Sequence, residues 1–282
     1  ASGSGDNLLL SNGTFEFIYS GSNWIKAGPS VVYSISGSSL TPTVYYGGGQ
    51  DAGLSYNTSM SLWLLPGTAS INTTGTAVDY WLDASGNGNF ARQTGSARPT
   101  YASGSAINSL SGLYFDLGVN QYMFGSSSIP SFSGAMKRTA FVVYKPDTTG
   151  VVMNVFGTFG AESVGAAFSI QARDQGPAGD PYFAGFANDL AFPTTTLNTN
   201  AKVVAVNYTG TILELYLNGA RASGSKTLNT TNEKYRLGSG LSGGLIGDYM
   251  SGYICEVIVY NDSLSSASMA TVNGYLKTKY NL

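Results

Sequence analysis

Histidine is absent from all 282 residues. That removes Ser-His-Asp and Cys-His nucleophilic catalysis, imidazole zinc sites and histidine pH switching together. A single cysteine, Cys255, excludes an intrachain disulfide and any CxxC metal site. It lies in the apolar run YICEVIVY and reads as an inert, buried thiol. Charge is scarce as well: 11% of residues are Asp, Glu, Lys or Arg, against roughly 25% in an average soluble domain. The surface must therefore be covered by Ser, Thr, Asn and Gly. Fourteen basic against sixteen acidic residues leave a net charge of −2, which offers no global footprint for nucleic acid or an anionic membrane. No run approaches the ~20 apolar residues of a transmembrane helix, and no signal-peptide pattern opens the chain at Ala1.

What is present points to an all-β chain rich in turns, with 37 Gly and 19 Tyr. Up to about residue 76, short strands are expected in GTFEFIYS (13–20), SVVYSIS (30–36), TPTVYYG (41–47) and MSLWLLPG (60–67), broken by Gly/Ser clusters. TASINTTGTA (68–77) is polar and without periodicity, and reads as a linker. The expected division is thus a small β-rich module over 1–76 and a larger domain over 77–282. From residue 78 strands are denser: RTAFVVYKP (138–146), VVMNVFGTFG (151–160), AAFSIQARD (166–174) and DPYFAGFAND (180–189). In KVVAVNYTGTILELYLNGARAS (202–223), Asn218-Gly219 supplies the φ > 0 pair of a type I′ hairpin. Leu213, Leu215 and Leu217 share one strand face there, with Glu214 and Tyr216 on the other. One helix is predicted, at the C-terminus, where Met269, Val272, Leu276 and Tyr280 fall on one face. Lys277 and Lys279 complement its dipole, and Gly274 weakens it.

Five pieces in order then carry a resemblance: WLDASGNGN (81–89), GLYFDLGVNQYM (112–123), TAFVVYKP (139–146), VVAVNYTGTILELYLNGARASGS (203–225) and GYICEVIVYNDSLSSASMATVNGYLKTKY (252–280). From about Tyr80 to Leu282 the chain resembles the laminin-G-like, or concanavalin A-like lectin/glucanase, jelly-roll domains of bacterial and phage surface proteins. The resemblance implies an antiparallel jelly-roll β-sandwich with a short C-terminal helix. It does not by itself choose a function, since the fold hosts lectins, hydrolases, lyases and adhesive spacers.

Three kinds of site are weighed. Asp83, Ser85 and Asn87 alternate like the start of an EF-hand loop, but Thr94 stands where the bidentate Glu is required, so an EF-hand is rejected. The resemblance implies a rim calcium instead, with Asp83, Asn87 and Asp116 as its candidate ligands. The preferred alternative is a turn in which Asp83 and the amides cap backbone N–H groups. For sugar binding, aromatic rings would stack on a sugar's apolar face beside polar groups that read its hydroxyls. The candidates are Trp24, Tyr45, Tyr46, Tyr122 and Tyr182, with Asn120 and Gln121. Trp63 and Trp81 are expected in the core. For catalysis, glucanases of this architecture place two Glu around an Asp on one strand, so that the carboxylates share a face. The five Glu residues here (16, 162, 214, 233 and 256) stand isolated, and no catalytic residue is assigned.

The expectation is a non-enzymatic protein of the virion or cell surface, of phage fibre or capsid-decoration type, whose loops bind host glycan. Calcium is its only candidate cofactor. A homo-oligomer and surface-lattice subunits are the expected partners, with neither nucleic acid nor membrane. A purely structural lattice protein is the alternative, and a polysaccharide-degrading enzyme comes third.

Overall fold

The computed structural model describes the backbone of strands Phe17–Tyr19, Trp24–Lys26, Val32–Ser36 and Ser39–Thr43. It then describes residues 59–282 apart from 68–69, 161–162, 174–178, 194 and 243. The four early strands form an antiparallel sheet in chain order. The rest is an antiparallel jelly-roll sandwich with one C-terminal helix, Ser266–Tyr280. No described helix is long and apolar enough to cross a membrane.

One layer centres on strand Gly252–Tyr260, which pairs on one side with Arg138–Pro146 and on the other with Met60–Leu64. Arg138–Pro146 continues to Lys202–Tyr208, then Ile212–Leu217 and Ala220–Ser225. Both faces of its central strands, Met60–Leu64, Gly252–Tyr260, Arg138–Pro146 and Lys202–Tyr208, are buried. Ala140, Val142 and Tyr144 point into the core between the layers. Phe141 and Val143, one residue out of step, meet the helix through Met269, Val272 and Leu276. Burial on both sides is why these strands read as unbroken apolar runs in the sequence.

The helix docks as its periodicity predicts, with Met269, Val272, Leu276 and Tyr280 all buried. Ser265 caps its N-terminus by accepting from Ser268 N, and Asn281 closes it in the left-handed conformation. The predicted hairpin also forms. Asn218 (φ 48°) and Gly219 (φ 94°) join Leu217 to Ala220.

Two expectations are corrected. Residues 60–76 do not belong with the N-terminal module: Met60–Leu64, buried throughout, is a strand of the main layer. TASINTTGTA is not a linker, because Ile71–Thr74 and Ala77–Trp81 form a hairpin there. Its strands lie half exposed, so Asn and Thr suffice where a core strand would need Val or Ile, and the run mimics a loop.

The second layer runs from that hairpin through Ala91–Arg92, Met123–Ser128, Lys234–Leu237, Val152–Phe159, Ala167–Arg173 and Gly179–Ala184 to Leu190–Phe192. Its inner residues, among them Trp81, Ala91, Met123, Leu237, Phe156, Ile170 and Phe183, complete the core. Gly125 is glycine because the Tyr235 ring crosses its α-carbon: a Cβ there would lie 2.4 Å from the ring. Among the described residues, no helix lies on the outer face of this layer.

Candidate functional site: the outer face of the second layer

The register of the second layer fixes a row of side chains across its outer face. Asn72 pairs with Tyr80, Tyr80 with Arg92, Arg92 with Phe124, and Phe124 with Arg236. Successive strands lie about 4.8 Å apart, so these groups form one transverse line. Tyr80 is 40% exposed, Arg92 and Lys234 are exposed, and Phe124 and Arg236 are half-buried. Tyr80 meets Phe90 edge-on at 5.8 Å, while Tyr122 packs against Phe124 at 6.5 Å and Tyr249 at 6.2 Å. The Arg92 guanidinium lies 5.5 Å and the Lys234 ammonium 5.9 Å from the Phe124 ring centre.

Beyond Arg236 the row passes through Gly157 to Ser169 and Ala184, and the face becomes closed. The hairpin of Gly240–Ser242 and Leu245–Gly247 approaches here, with Gly240 against the Asn154 amide. Asn154 accepts from Ser169 Oγ (2.7 Å) and Gln171 Nε2 (2.8 Å), and donates to Asp248 Oδ2 (3.2 Å). Burial raises the Asp248 carboxyl above its ordinary range, against the opposing effects of the Asn154 bond and the Arg173 charge. The open part of the face is therefore the half around Phe124.

The expected sugar-binding residues that are described do not converge on one spot. Asn120, Gln121 and Tyr122 border the open half. Asn120 is exposed in the left-handed conformation that closes the short 3-10 turn Leu117–Val119, and Gln121 Oε1 accepts from Asp116 N at 2.9 Å. Tyr182 sits four strands away, about 19 Å at normal strand spacing. Its hydroxyl donates to Asp189 Oδ2 at 2.8 Å, and Arg173 lies 4.6 Å from its ring. Burial and the Asp189 bond push its phenol up to about 12. Trp24 lies in a described strand, but its side chain, like Tyr45 and Tyr46 entirely, lies outside the described residues.

The candidate calcium ligands serve the backbone. Asp83 Oδ1 accepts from Trp63 N and Ser85 N, and Oδ2 from Asn89 N, all at 2.9 Å. Asn87 and Asn89 donate to Met60 O (2.9 Å) and Ser61 O (2.8 Å). This loop thus pins the Met60–Leu64 strand by its edge. Asp116 accepts from Gly118 N at 2.7 Å as the cap of the 3-10 turn. Asp83, buried and accepting from three backbone N–H groups, acts as the cap of a turn, the alternative preferred above. The described residues hold no cluster of three or more His, Cys, Asp or Glu suited to a metal.

Tyr80, Phe124, Tyr249, Arg92, Lys234 and Arg236 were not singled out from the sequence. Alternation in KYRL, where Tyr235 and Leu237 point in and Lys234 and Arg236 out, was a usable signal for two of them. The partners of that strand are set only by the tertiary pairing.

Fold and surface together define an antiparallel jelly-roll sandwich whose first layer is covered by a helix. No family model matches the chain, and no curated protein does. Solved structures share the fold at low identity. Domain 4 of AbnA, an extracellular arabinanase from Geobacillus stearothermophilus solved with arabinotriose, is 15% identical, with a TM-score of 0.54 over 77% of this chain and 98% of that one. The binding domain of Paraclostridial Mosquitocidal Protein 1 is 11% identical (TM-score 0.52, 76% of this chain and 52% of that one). The Botulinum neurotoxin serotype D binding domain is also 11% identical (TM-score 0.51, 77% and 50%). The chain spans about half the length of these two toxin domains. At such identity the likeness concerns the fold.

Proposed function

We propose that the protein is a non-enzymatic glycan-binding protein of a cell or virion surface, and that the open half of the second layer is its binding face. One observation carries this reading. A group of partly exposed aromatic rings, Tyr80, Phe124, Tyr122 and Tyr249, lies on this sheet face beside the polar loop Asn120-Gln121. Rings present the apolar surface on which a sugar stacks, and neighbouring amides can read its hydroxyls. The fold shared with domain 4 of the arabinanase, solved with an arabinose oligosaccharide, is in keeping with such a role. In the laminin-G-like reading of the sequence, the jelly roll presents the ligand surface and the N-terminal sheet serves attachment or self-assembly.

The test is binding of the full chain to a panel of cell-surface polysaccharides, with calcium and again with EDTA. Saturable binding that is indifferent to EDTA and weakened by Tyr122→Ala is expected. A folded protein that binds no member of the panel would refute the reading.

A further inference from the structure

Among fourteen basic residues in a chain of net charge −2, three stand together on the proposed binding face without an acidic partner. The ion pairs among the described residues include Arg98–Asp79, Lys202–Asp180, Arg221–Glu214 and Lys279–Glu256. Arg92, Lys234 and Arg236 are in none of them. Asp79, the carboxylate beside Tyr80 in the chain, is held by Arg98 at 2.6 Å and by Thr74 Oγ1 at 2.7 Å. The bonds from Thr74 and Arg98 hold its carboxyl below the ordinary range, so it stays ionised and engaged with them. An exposed cation without a partner is ordinary; three on one face, in a chain so poor in charge, form a local field that the net charge conceals.

Their arrangement is regular. Along the row, aromatic and cation alternate strand by strand: Tyr80, Arg92, Phe124, Arg236. Arg92 and Arg236 flank Phe124 and are two strand spacings apart, about 10 Å. Lys234, two residues before Arg236 on the same face, meets the Phe124 ring as Arg92 does. Phe124 thus orients two cations, while Tyr80 and Tyr122 stand as flanking rings. Arginine suits a carboxylate because its planar fork can donate two parallel N–H bonds.

Resting on the glycan-binding reading above, we infer that the ligand is an acidic polysaccharide, one bearing carboxylates at intervals along its chain. It lies across the strands, with carboxylates on Arg92 and Arg236, support from Lys234, and sugar rings against Tyr80 and Tyr122. A spacing of about 10 Å between arginines is commensurate with the carboxylates on alternate sugars of a chain that bears an acid group on each sugar. The observation that carries the inference is this row of paired outward residues, whose complementarity is to a negative chain rather than a neutral one.

The experiment measures binding of the full chain to alginate, polygalacturonate and polysialic acid, each beside its carboxyl-reduced form, with neutral arabinan and galactan and an oligo(dT) in parallel. The variants are R92A, R236A, R92K and R236K, with R221A as control on the other layer. Binding to at least one acidic polymer is expected, with loss on carboxyl reduction and a decline as salt rises. Each Ala variant should weaken it about tenfold. The Lys variants should weaken it less, because charge remains and the fork is lost, and R221A should leave it unchanged. Arg92 is exposed, so R92A tests the contact without endangering the fold; unchanged melting temperatures check this for all variants. Neutral glycans bound as well as acidic ones, with no effect of R92A or R236A, would overturn the inference and leave the glycan reading standing. Binding of no polysaccharide at all would overturn both. Preference for oligo(dT) would overturn the inference in favour of a nucleic-acid strand.

Discussion

Glu256 offers the sharpest physical test of how the helix is held on the first layer. The side chain is 1% exposed and is bonded by four groups from two elements, the Met60–Leu64 strand and the helix. Trp63 Nε1 donates to Oε1 at 2.7 Å and Tyr275 OH at 3.2 Å. Tyr280 OH donates to Oε2 at 3.0 Å, where Lys279 Nζ forms an ion pair at 3.0 Å. Glu256→Ala would strand the Trp63 indole N–H and leave the Tyr280 hydroxyl only its long 3.4 Å bond to Cys255 O, both on fully buried residues. Each stranded group costs roughly 1–3 kcal/mol. The Lys279 ammonium, 17% exposed, can turn to water and adds little, and Tyr275 is only partly buried. The sum is about 4 kcal/mol, a large share of the roughly 5–15 kcal/mol that stabilises a typical domain. With a urea m-value of about 2.5 kcal/mol/M, the midpoint should fall by roughly 1.5 M. Tryptophan fluorescence during urea unfolding would read it, since Trp63 is at the site. Glu256→Gln keeps an acceptor for the indole and should cost less. A loss below about 1 kcal/mol, or the same loss when Trp63 is already Phe, would refute the argument, because contacting groups must couple in a double-mutant cycle.

Other predictions follow from single positions. Gly274 is exposed in the helix interior and a Cβ there meets nothing within 4 Å, so Gly274→Ala should stabilise by about 0.5–1 kcal/mol in the same unfolding assay. Asp248 combines a left-handed backbone (φ 48°) with a carboxyl whose pKa burial has raised. A raised folded-state pKa means that the ionised form destabilises the fold above that pKa and the penalty fades as pH falls through it. Asp248→Asn, which suits φ > 0, should therefore raise the melting temperature at pH 7, with the difference shrinking toward pH 4. Removing residues 1–58 should leave a cooperatively melting jelly roll, whereas removing 1–76 takes away the buried strand Met60–Leu64 and should abolish folding. A folded 77–282 fragment would contradict the sheet order.

Much of the fold is legible from residue patterns alone. Arg138–Pro146 and Lys202–Tyr208 are continuous apolar runs because each is buried on both faces. The helix face is readable because its period differs from that of a strand, and Asn218-Gly219 because few other pairs take two positive φ values. Cys255 is buried as its surroundings imply, and burial pushes its thiol up, out of reach of ionisation at neutral pH. Trp63 and Trp81 are core residues, as expected. Half-exposed strands escape this kind of reading. Ile71–Thr74 needs few apolar side chains, so its composition is that of a turn.

Local chemistry therefore determined the class of the fold, the helix and its inward face, the hairpin turn, and the exclusion of histidine chemistry and of an intrachain disulfide within these 282 residues. Those follow from side-chain type and from spacings of two to four residues, which the chain itself carries. The tertiary structure alone decided what Asp83 does, since its donors Trp63 N and Asn89 N meet only once strand and loop are paired. It also decided the row of Tyr80, Arg92, Phe124 and Arg236, drawn from segments up to 156 residues apart in the chain. Register between distant strands is set by how the inward residues pack, and the outward residues are carried to their neighbours by that packing.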